Sequence, residues 1–206
     1  MSGRATVIVA AFFSLFILSL AASSAAEIEV DDDWAGADYD NIQEAVDNAA
    51  PGDEIKVYDG TYLERVNVTK QVRIWAAGAE AIVDSNKTGT VFSILEDGVV
   101  LEGLNIVGAR GSSSGGENGI RIVDGIDVQI IDCTLERHEY GIYTGGTSGL
   151  TITDCFINKT ERAVYLRGSD QITITGLRAP SSSNAGVYLH GATNSYVGPS
   201  ISYLAI

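Results

Sequence analysis

The sequence is poor in basic residues, histidine, methionine, cysteine and proline. Its 206 residues contain 13 Lys and Arg against 27 Asp and Glu, which gives a net charge of −14. Such an acidic chain repels nucleic acid and anionic lipid, so neither is expected as a partner. Two cysteines and two histidines do not form a metal-binding motif, and we expect no metal site built from them. With only three prolines and 45% hydrophobic residues, the chain is a folded protein and not a disordered acidic tail.

Long apolar runs are absent after residue 26, but one lies before it. Arg4 precedes an uncharged apolar run over residues 5–20, and Ser24 and Ala26 then occupy positions typical of a cleavage site. This pattern predicts a secretory signal peptide over residues 1–26. An uncleaved anchor is the alternative, because the run is near the lower length limit for spanning a bilayer. We therefore expect a secreted or cell-envelope protein with no other membrane segment. Loss of Arg4 would leave 12 basic against 27 acidic residues, a net charge of −15.

The segment from Gly119 onward repeats with a period of 22 residues. The apolar–polar pattern of residues 119–122 recurs at 141–144, at 163–166 and, one residue late, at 186–189. Alternating apolar and polar residues predict short strands, and a fixed period of this length predicts a solenoid. Two or three short strands in each unit, joined at polar corners, predict an all-β parallel β-helix over residues 54–206.

Residues 27–53 are expected to cover the N-terminal end of this solenoid. They include a short strand over residues 27–30 and a run with apolar residues at helical spacing, in which Asp40 is the expected N-cap and Gln43 completes a capping box. An amphipathic helix here would shield the open strand edges and the apolar core. The last coil shows no polar cap, so we expect that the rod continues in a longer chain or is covered by a partner, including end-to-end association.

One outward column of the predicted coils is a candidate binding surface. Residues one period apart become vertical neighbours, which places Arg121, Tyr143, Tyr165 and Tyr188 above one another on the exterior. Aromatic rings beside a guanidinium suit sugar rings and their hydroxyl or carboxylate groups. The alternative is that stacked aromatic side chains only stabilise the sheet and need no ligand.

Two further pairs are separated by one period. Asp132 and Asp154 would form an acidic pair able to bind a cation such as calcium, although aspartate is also a common corner residue. Cys133 and Cys155 would lie one strand spacing apart, either as a disulfide between coils or as two stacked buried thiols. The corner around His138 carries charges of both signs and is expected to be a solvated turn.

Three sequons accompany the export signal. Asn67, Asn86 and Asn158 each begin an Asn-x-Thr triplet, which is an N-glycosylation acceptor where the host has the machinery. Such short triplets also arise by chance, and both interpretations stay open.

The N-terminal part resembles a known family. Tyr-Asp-Asn-Ile-Gln-Glu-Ala-Val at residues 39–46, Pro-Gly-Asp-Glu-Ile at 51–55 and Gly-Thr-Tyr at 60–62 are similar to the opening of NosD-like proteins. These belong to the carbohydrate-binding and sugar-hydrolase group of right-handed parallel β-helices in the pectin-lyase-like class. The resemblance implies export, and either a surface protein, a polysaccharide-active enzyme, or an accessory factor of an envelope copper enzyme.

The motifs of the enzymatic members are missing. The polygalacturonase motifs and the Asp-Pro-His motif of alginate epimerases are not found, and only Asp132 and Asp154 beside an arginine resemble a calcium-dependent lyase site. The sequence therefore predicts a non-catalytic, exported module that binds glycan or forms a surface structure. A carbohydrate-active enzyme is the first alternative. A NosD-like accessory factor is the second, weakened by the scarcity of Met and His that copper delivery requires.

Overall fold

The structure is a computed structural model that describes residues 24–86, 89–108 and 117–198, with the backbone of residues 204 and 205. Most of the predicted signal peptide, the Gly/Ser-rich segment at 111–116 and part of the last coil lie outside the described residues. Within the described ranges, no helix has the length and apolar character needed to cross a membrane.

In the part of the chain that the structure describes, one helix and twenty short strands follow one another. In chain order they are β1 (Glu27–Val30), α1 (Ile42–Asn48), β2 (Glu54–Val57), β3 (Gly60–Tyr62), β4 (Val66–Val68), β5 (Arg73–Ala76), β6 (Ala81–Asp84), β7 (Phe92–Ile94), β8 (Val100–Glu102), β9 (Asn105–Val107), β10 (Asn118–Val123), β11 (Gln129–Ile131), β12 (Thr134–Glu136), β13 (Tyr140–Gly145), β14 (Thr151–Thr153), β15 (Phe156–Asn158), β16 (Thr160–Arg167), β17 (Thr173–Thr175), β18 (Ser182–His190), β19 (Tyr196–Val197) and β20 (Leu204–Ala205).

The strands form three parallel sheets that wind around one core. The first sheet has the order β1-β2-β5-β8-β11-β14-β17-β19, the second β3-β6-β9-β12-β15, and the third β4-β7-β10-β13-β16-β18-β20. From β2 to β16 the chain passes through the first, second and third sheets in turn, and from β17 to β20 it alternates between the first and third. Such parallel crossovers are right-handed because the strands twist to the right. The predicted right-handed parallel β-helix is confirmed.

The core is built from columns of apolar side chains that repeat once per coil. In the first sheet, Ile74, Leu101, Ile130, Ile152 and Ile174 pair successively in register and are all fully buried. Burial of each such side chain contributes about 1.5–3 kcal/mol relative to exposure. The stacking of one column residue on the next explains why the sequence must repeat its apolar positions at a fixed period.

Helix α1 packs on the N-terminal end of the rod, but its cap differs from the prediction. The N-cap is Asn41, whose side chain accepts from the Glu44 amide while its own amide donates to the Glu44 carboxylate. The prediction that Asp40 and Gln43 form the capping box is therefore wrong by one residue, because Asn41 and Glu44 make the capping contacts. Gln43 instead bonds to both backbone groups of Asn67 on β4, which ties the helix to the edge of the third sheet.

Within the 22-residue repeats that begin at Gly119, the spacing changes at the level of β18. Ile142 pairs with Val164, and Val164 pairs with Val187 one residue later than the repeat requires. A register shift between Thr160 and Arg162 on β16 absorbs the additional residue. Because this irregularity precedes Tyr165, the outward column above it stays in register.

Candidate functional site

A column of outward side chains runs along the third sheet through the middle of its strands. Its members pair successively across neighbouring strands, in the order Asn67, Ser93, Arg121, Tyr143, Tyr165 and Tyr188. The alternation of each strand points these residues away from the core, since their neighbours Ile120, Ile142 and Val164 are fully buried. The vertical order predicted for Arg121 and the three tyrosines is the order found. The column continues past Arg121 to two small polar residues that the sequence did not reveal.

The upper half of the column is a stack of aromatic rings. The centroids of Tyr143 and Tyr165 lie 5.5 Å apart, and those of Tyr165 and Tyr188 lie 5.3 Å apart with planes inclined by 13°. Tyr140 lies beside them, with its ring 5.9 Å from Tyr143 and 5.4 Å from Tyr165. All four side chains are half-buried and present part of their rings to solvent. We call these four residues the tyrosine face.

Arg162 holds this face together from within. Its guanidinium carbon lies 5.5, 5.7 and 5.3 Å from the ring centroids of Tyr140, Tyr165 and Tyr188. The same guanidinium donates to the Tyr140 hydroxyl and to a Glu161 carboxylate oxygen at 2.9 Å. Because Glu161 neutralises its charge and three rings surround it, Arg162 is a structural cation. The sequence did not reveal this role, because the guanidinium contacts the ring of Tyr188 on the neighbouring coil.

The lower half of the column opens into a groove. The groove has a volume of about 480 Å³ and is lined by Arg65, Asn67, Thr90, Ser93 and Arg121. Small side chains at Asn67 and Ser93 leave space between the long side chains of the two arginines. Asn118 donates its amide to the Thr90 hydroxyl at 3.0 Å, which leaves the hydroxyl proton directed elsewhere. We call these five residues the arginine groove.

The acidic pair lies on a different corner. Asp132 and Asp154 follow β11 and β14, between the first and second sheets, whereas Arg121 projects from the third. Both aspartates are exposed and have positive φ, of 50° and 55°. Gly103 and Gly176 occupy the equivalent corners of the adjoining coils, also at positive φ. Aspartate tolerates this left-handed conformation better than most residues, so the backbone alone accounts for its use here. The structure does not combine this pair with Arg121.

Cys133 and Cys155 stack in the core as unbridged thiols. Both are buried, and each sulfur donates to backbone carbonyl oxygens of its own coil and of the preceding coil. Burial raises the pKa of the Cys155 thiol to about 12 and also raises the pKa of the Cys133 thiol. These thiols are therefore protonated and chemically quiet at neutral pH.

His138 is buried, so the expectation of a fully solvated turn is wrong at this residue. Its Nε2 lies 3.1 Å from the carbonyl oxygen of Ile106, and the side chain is 0% exposed. Burial lowers the pKa of His138 to about 4. The imidazole is neutral at physiological pH and acts as a core residue, while its neighbour Arg137 is exposed and Glu139 is half-buried.

The three sequon asparagines differ in accessibility. Asn67 and Asn86 are exposed, whereas Asn158 is half-buried and its Thr160 is fully buried, with the Thr160 hydroxyl 3.3 Å from the Ser182 hydroxyl. Asn67 also lines the arginine groove, so a glycan attached there would compete with any ligand of the groove.

Known structures share this architecture. An alginate lyase from Paenibacillus sp. strain FPU-7 aligns with a TM-score of 0.67 and 20% identity over 75% of this chain, and the chain spans 61% of the lyase. A putative glycosyl hydrolase from Parabacteroides merdae aligns with a TM-score of 0.62 and 15% identity over 87% of this chain and 100% of the hydrolase. A pectin methylesterase in complex with a hexasaccharide aligns with a TM-score of 0.61 and 15% identity, over 87% and 67% of the two chains. At these identities the likeness shows the fold alone. No curated protein matches the sequence.

A family described as periplasmic copper-binding protein (NosD) matches residues 46–204. Copper prefers imidazole and soft sulfur ligands in their deprotonated or neutral forms. In the part of the chain that the structure describes, His138 is enclosed in the core, His190 is exposed on another strand, and both thiols are buried and protonated. The one cluster of three potential ligands among these residues is Asp31, Asp32 and Asp33, which offers only oxygen. The described residues therefore do not fit a copper site.

The match to this family covers well over half of the sequence, and the three-sheet solenoid agrees with it. The chain belongs to the NosD family.

Proposed function

We propose that this protein is an exported, non-catalytic β-helix module that binds a glycan along the third sheet. The observation that supports the proposal is the continuous column from Asn67 to Tyr188, in which an open polar groove leads directly onto a partly exposed aromatic stack. At about 4.8 Å per coil, the five steps of this column extend over roughly 24 Å. That length suits an extended oligosaccharide rather than a single small molecule.

The chemistry of the column favours sugars. A sugar ring offers C–H groups to an aromatic surface and hydroxyl groups to polar side chains, and the column supplies both. The tyrosine rings are fixed by one another and by Arg162, so binding orders few side chains and loses little entropy. The same ring stacking also stabilises the sheet. A binding measurement must therefore separate ligand binding from stabilisation of the fold.

A non-catalytic role is supported by the composition of the site. The five residues that line the arginine groove include no carboxylate and no histidine, the side chains that most often act as general acid and base. Asp132 and Asp154 lie on another corner, and His138 is enclosed in the core. A carbohydrate-active enzyme remains the alternative, and turnover of a polyuronate abolished by Asp154→Asn would establish it.

The test is a glycan array followed by calorimetry with the best-bound oligosaccharide. The double substitution Tyr143→Ala with Tyr165→Ala is expected to weaken binding by at least tenfold. Tyr196→Ala is the matched control, because Tyr196 is 58% exposed but belongs to the first sheet. Retained binding in the double variant, or equal loss in the control, would leave the tyrosine face as a purely structural feature.

A further inference from the structure

Some cations on the surface of this acidic protein are paired with carboxylates, and others are not. On the first sheet, Lys56 lies 3.3 and 3.4 Å from Glu27 and Glu29, and Arg73 lies 2.8 and 2.9 Å from Glu54 and Glu102. Each of these cations is neutralised by two carboxylates. That arrangement is expected in a chain with 27 acidic and 13 basic residues.

Six cations in the described ranges form no ion pair with a described carboxylate: Arg65, Lys70, Arg121, Arg137, Arg167 and Arg178. Two of these six, Arg65 and Arg121, line the same groove. Both are exposed, and the other residues that line this groove of about 480 Å³ are neutral hydrogen-bonding side chains. Two uncompensated guanidinium groups facing one cavity are electrostatically unfavourable without an anion, because like charges repel in the absence of a counter-charge.

We propose that the arginine groove selects an acidic glycan by holding an oxyanion substituent, a carboxylate or a sulfate ester, between Arg65 and Arg121. This inference rests on the proposed function and specifies the ligand of the same column. Guanidinium presents paired N–H donors whose geometry matches an oxyanion, and such charge-assisted bonds are stronger than neutral ones. Asn67, Thr90 and Ser93 supply bonds to the hydroxyl groups of the same sugar, and the following sugars lie on the tyrosine face.

The net charge of the protein sharpens this selection. An acidic glycan is repelled by most of the surface, but charges beyond about 8 Å are largely screened at physiological ionic strength. The two arginines act at contact distance, where screening is weak. The anionic group is therefore attracted at the groove and repelled elsewhere, which fixes the register of the chain of sugars along the column.

The test compares matched pairs of oligosaccharides on the folded protein by calorimetry. One pair is oligogalacturonate and its methyl ester; the other is a sulfated galactose oligomer and its desulfated form. The expected result is at least tenfold tighter binding of one or both acidic forms over their neutral partners. The two arms distinguish a carboxylate from a sulfate ester as the group that is held.

Variants then assign this preference to the groove. Arg65→Gln and Arg121→Gln should each reduce binding of the acidic form by about tenfold and leave the neutral form within about twofold. Arg137→Gln is the control, because it removes the same charge from an exposed corner outside the groove.

The outcomes separate this inference from the proposed function. Equal binding of acidic and neutral forms, with loss only in the tyrosine variant, would overturn the selection of an anion but leave glycan binding intact. An acidic preference reduced equally by Arg137→Gln would also overturn it, since a general charge effect would then be responsible. No binding of any oligosaccharide on the array would overturn the proposed function itself.

Discussion

Tyr165 and Tyr188 are 23 residues apart in the chain, yet their rings stack with centroids 5.3 Å apart and planes inclined by 13°. The backbone brings them together, because β16 and β18 pair in parallel with Tyr165 opposite Tyr188. Arg162 lies against both rings and fixes their orientation. Through this pairing, residues that are one period apart in the sequence become neighbours on one surface. We propose that this surface binds the glycan.

Removal of the central ring should destabilise the fold. Tyr165 contacts three other tyrosine rings and Arg162, and aromatic pairs contribute about 0.5–1.5 kcal/mol each beyond area burial. We expect Tyr165→Ala to lower the free energy of unfolding by about 2–4 kcal/mol, measured by urea denaturation. Tyr165→Phe keeps the ring and should cost less than about 1 kcal/mol. Similar losses in both variants would show that the stack does not stabilise the sheet.

Stability should fall in mild acid because of His138. The unfolded chain takes up a proton as the pH falls below about 6.5, whereas burial holds the pKa of the folded imidazole at about 4. Between these values only the unfolded state gains the proton, so up to about 3 kcal/mol of stability present above pH 6.5 is lost by pH 4.

Urea denaturation at pH 7, 5 and 4 measures this loss. His138→Gln should flatten the pH dependence, while His190→Gln, which changes an exposed imidazole, should not. An unchanged slope in His138→Gln would mean that other groups cause the acid sensitivity.

The two cysteines should react only after unfolding. Cys133 and Cys155 are buried free thiols whose pKa values are raised by burial, and the thiolate is the reactive form. A thiol-specific reagent such as Ellman's reagent should detect no thiol in the folded protein and two thiols per chain in urea. Zero thiols in urea without reductant would indicate a disulfide, and rapid reaction in the folded state would contradict the burial of this pair.

Two glycines of one strand provide a test of the packing between coils. A Cβ at Gly141 would lie 2.5 Å from Ile157 Cγ2 and 2.6 Å from the carbonyl oxygen of Ala163 in the next coil. Gly141→Ala should therefore cost about 1–3 kcal/mol or more in thermal or urea unfolding. Gly145→Ala is the matched control on β13, because its nearest neighbour, in Tyr143, is 3.8 Å away. Equal stability of the two variants would contradict the observed approach of the coils.

The part of the site that the sequence predicted is the part with a regular period. Arg121, Tyr143, Tyr165 and Tyr188 follow spacings of 22, 22 and 23 residues, so their vertical order could be inferred. Below Arg121 the spacing grows to 28 and then 26 residues, at Ser93 and Asn67. The arginine groove was missed because corners of unequal length conceal which residues become neighbours.

Side-chain contacts between different coils could not be predicted from the sequence either. The Arg162 side chain extends over rings from three coils, which depends on rotamers that spacing does not encode. The burial of His138 was not predicted because its charged neighbours indicated a solvated corner, yet His138 is fully buried between the exposed Arg137 and the half-buried Glu139. The N-cap of α1 was predicted one residue too early because Asp40 and Asn41 are both good capping residues, and the sequence does not distinguish them.

The most direct test of a glycan-binding third sheet is a titration followed by NMR of ¹³C-labelled tyrosine rings. Each tyrosine reports on its own location, and the signals are assigned by single Tyr→Phe substitutions. On addition of the oligosaccharide best bound on the array, the ring signals of Tyr143, Tyr165 and Tyr188 should shift, while that of Tyr196 on the first sheet should not. Shifts confined to Tyr196 or to Tyr39 and Tyr58 near the N-terminal end, with the tyrosine face unperturbed at saturation, would contradict the account.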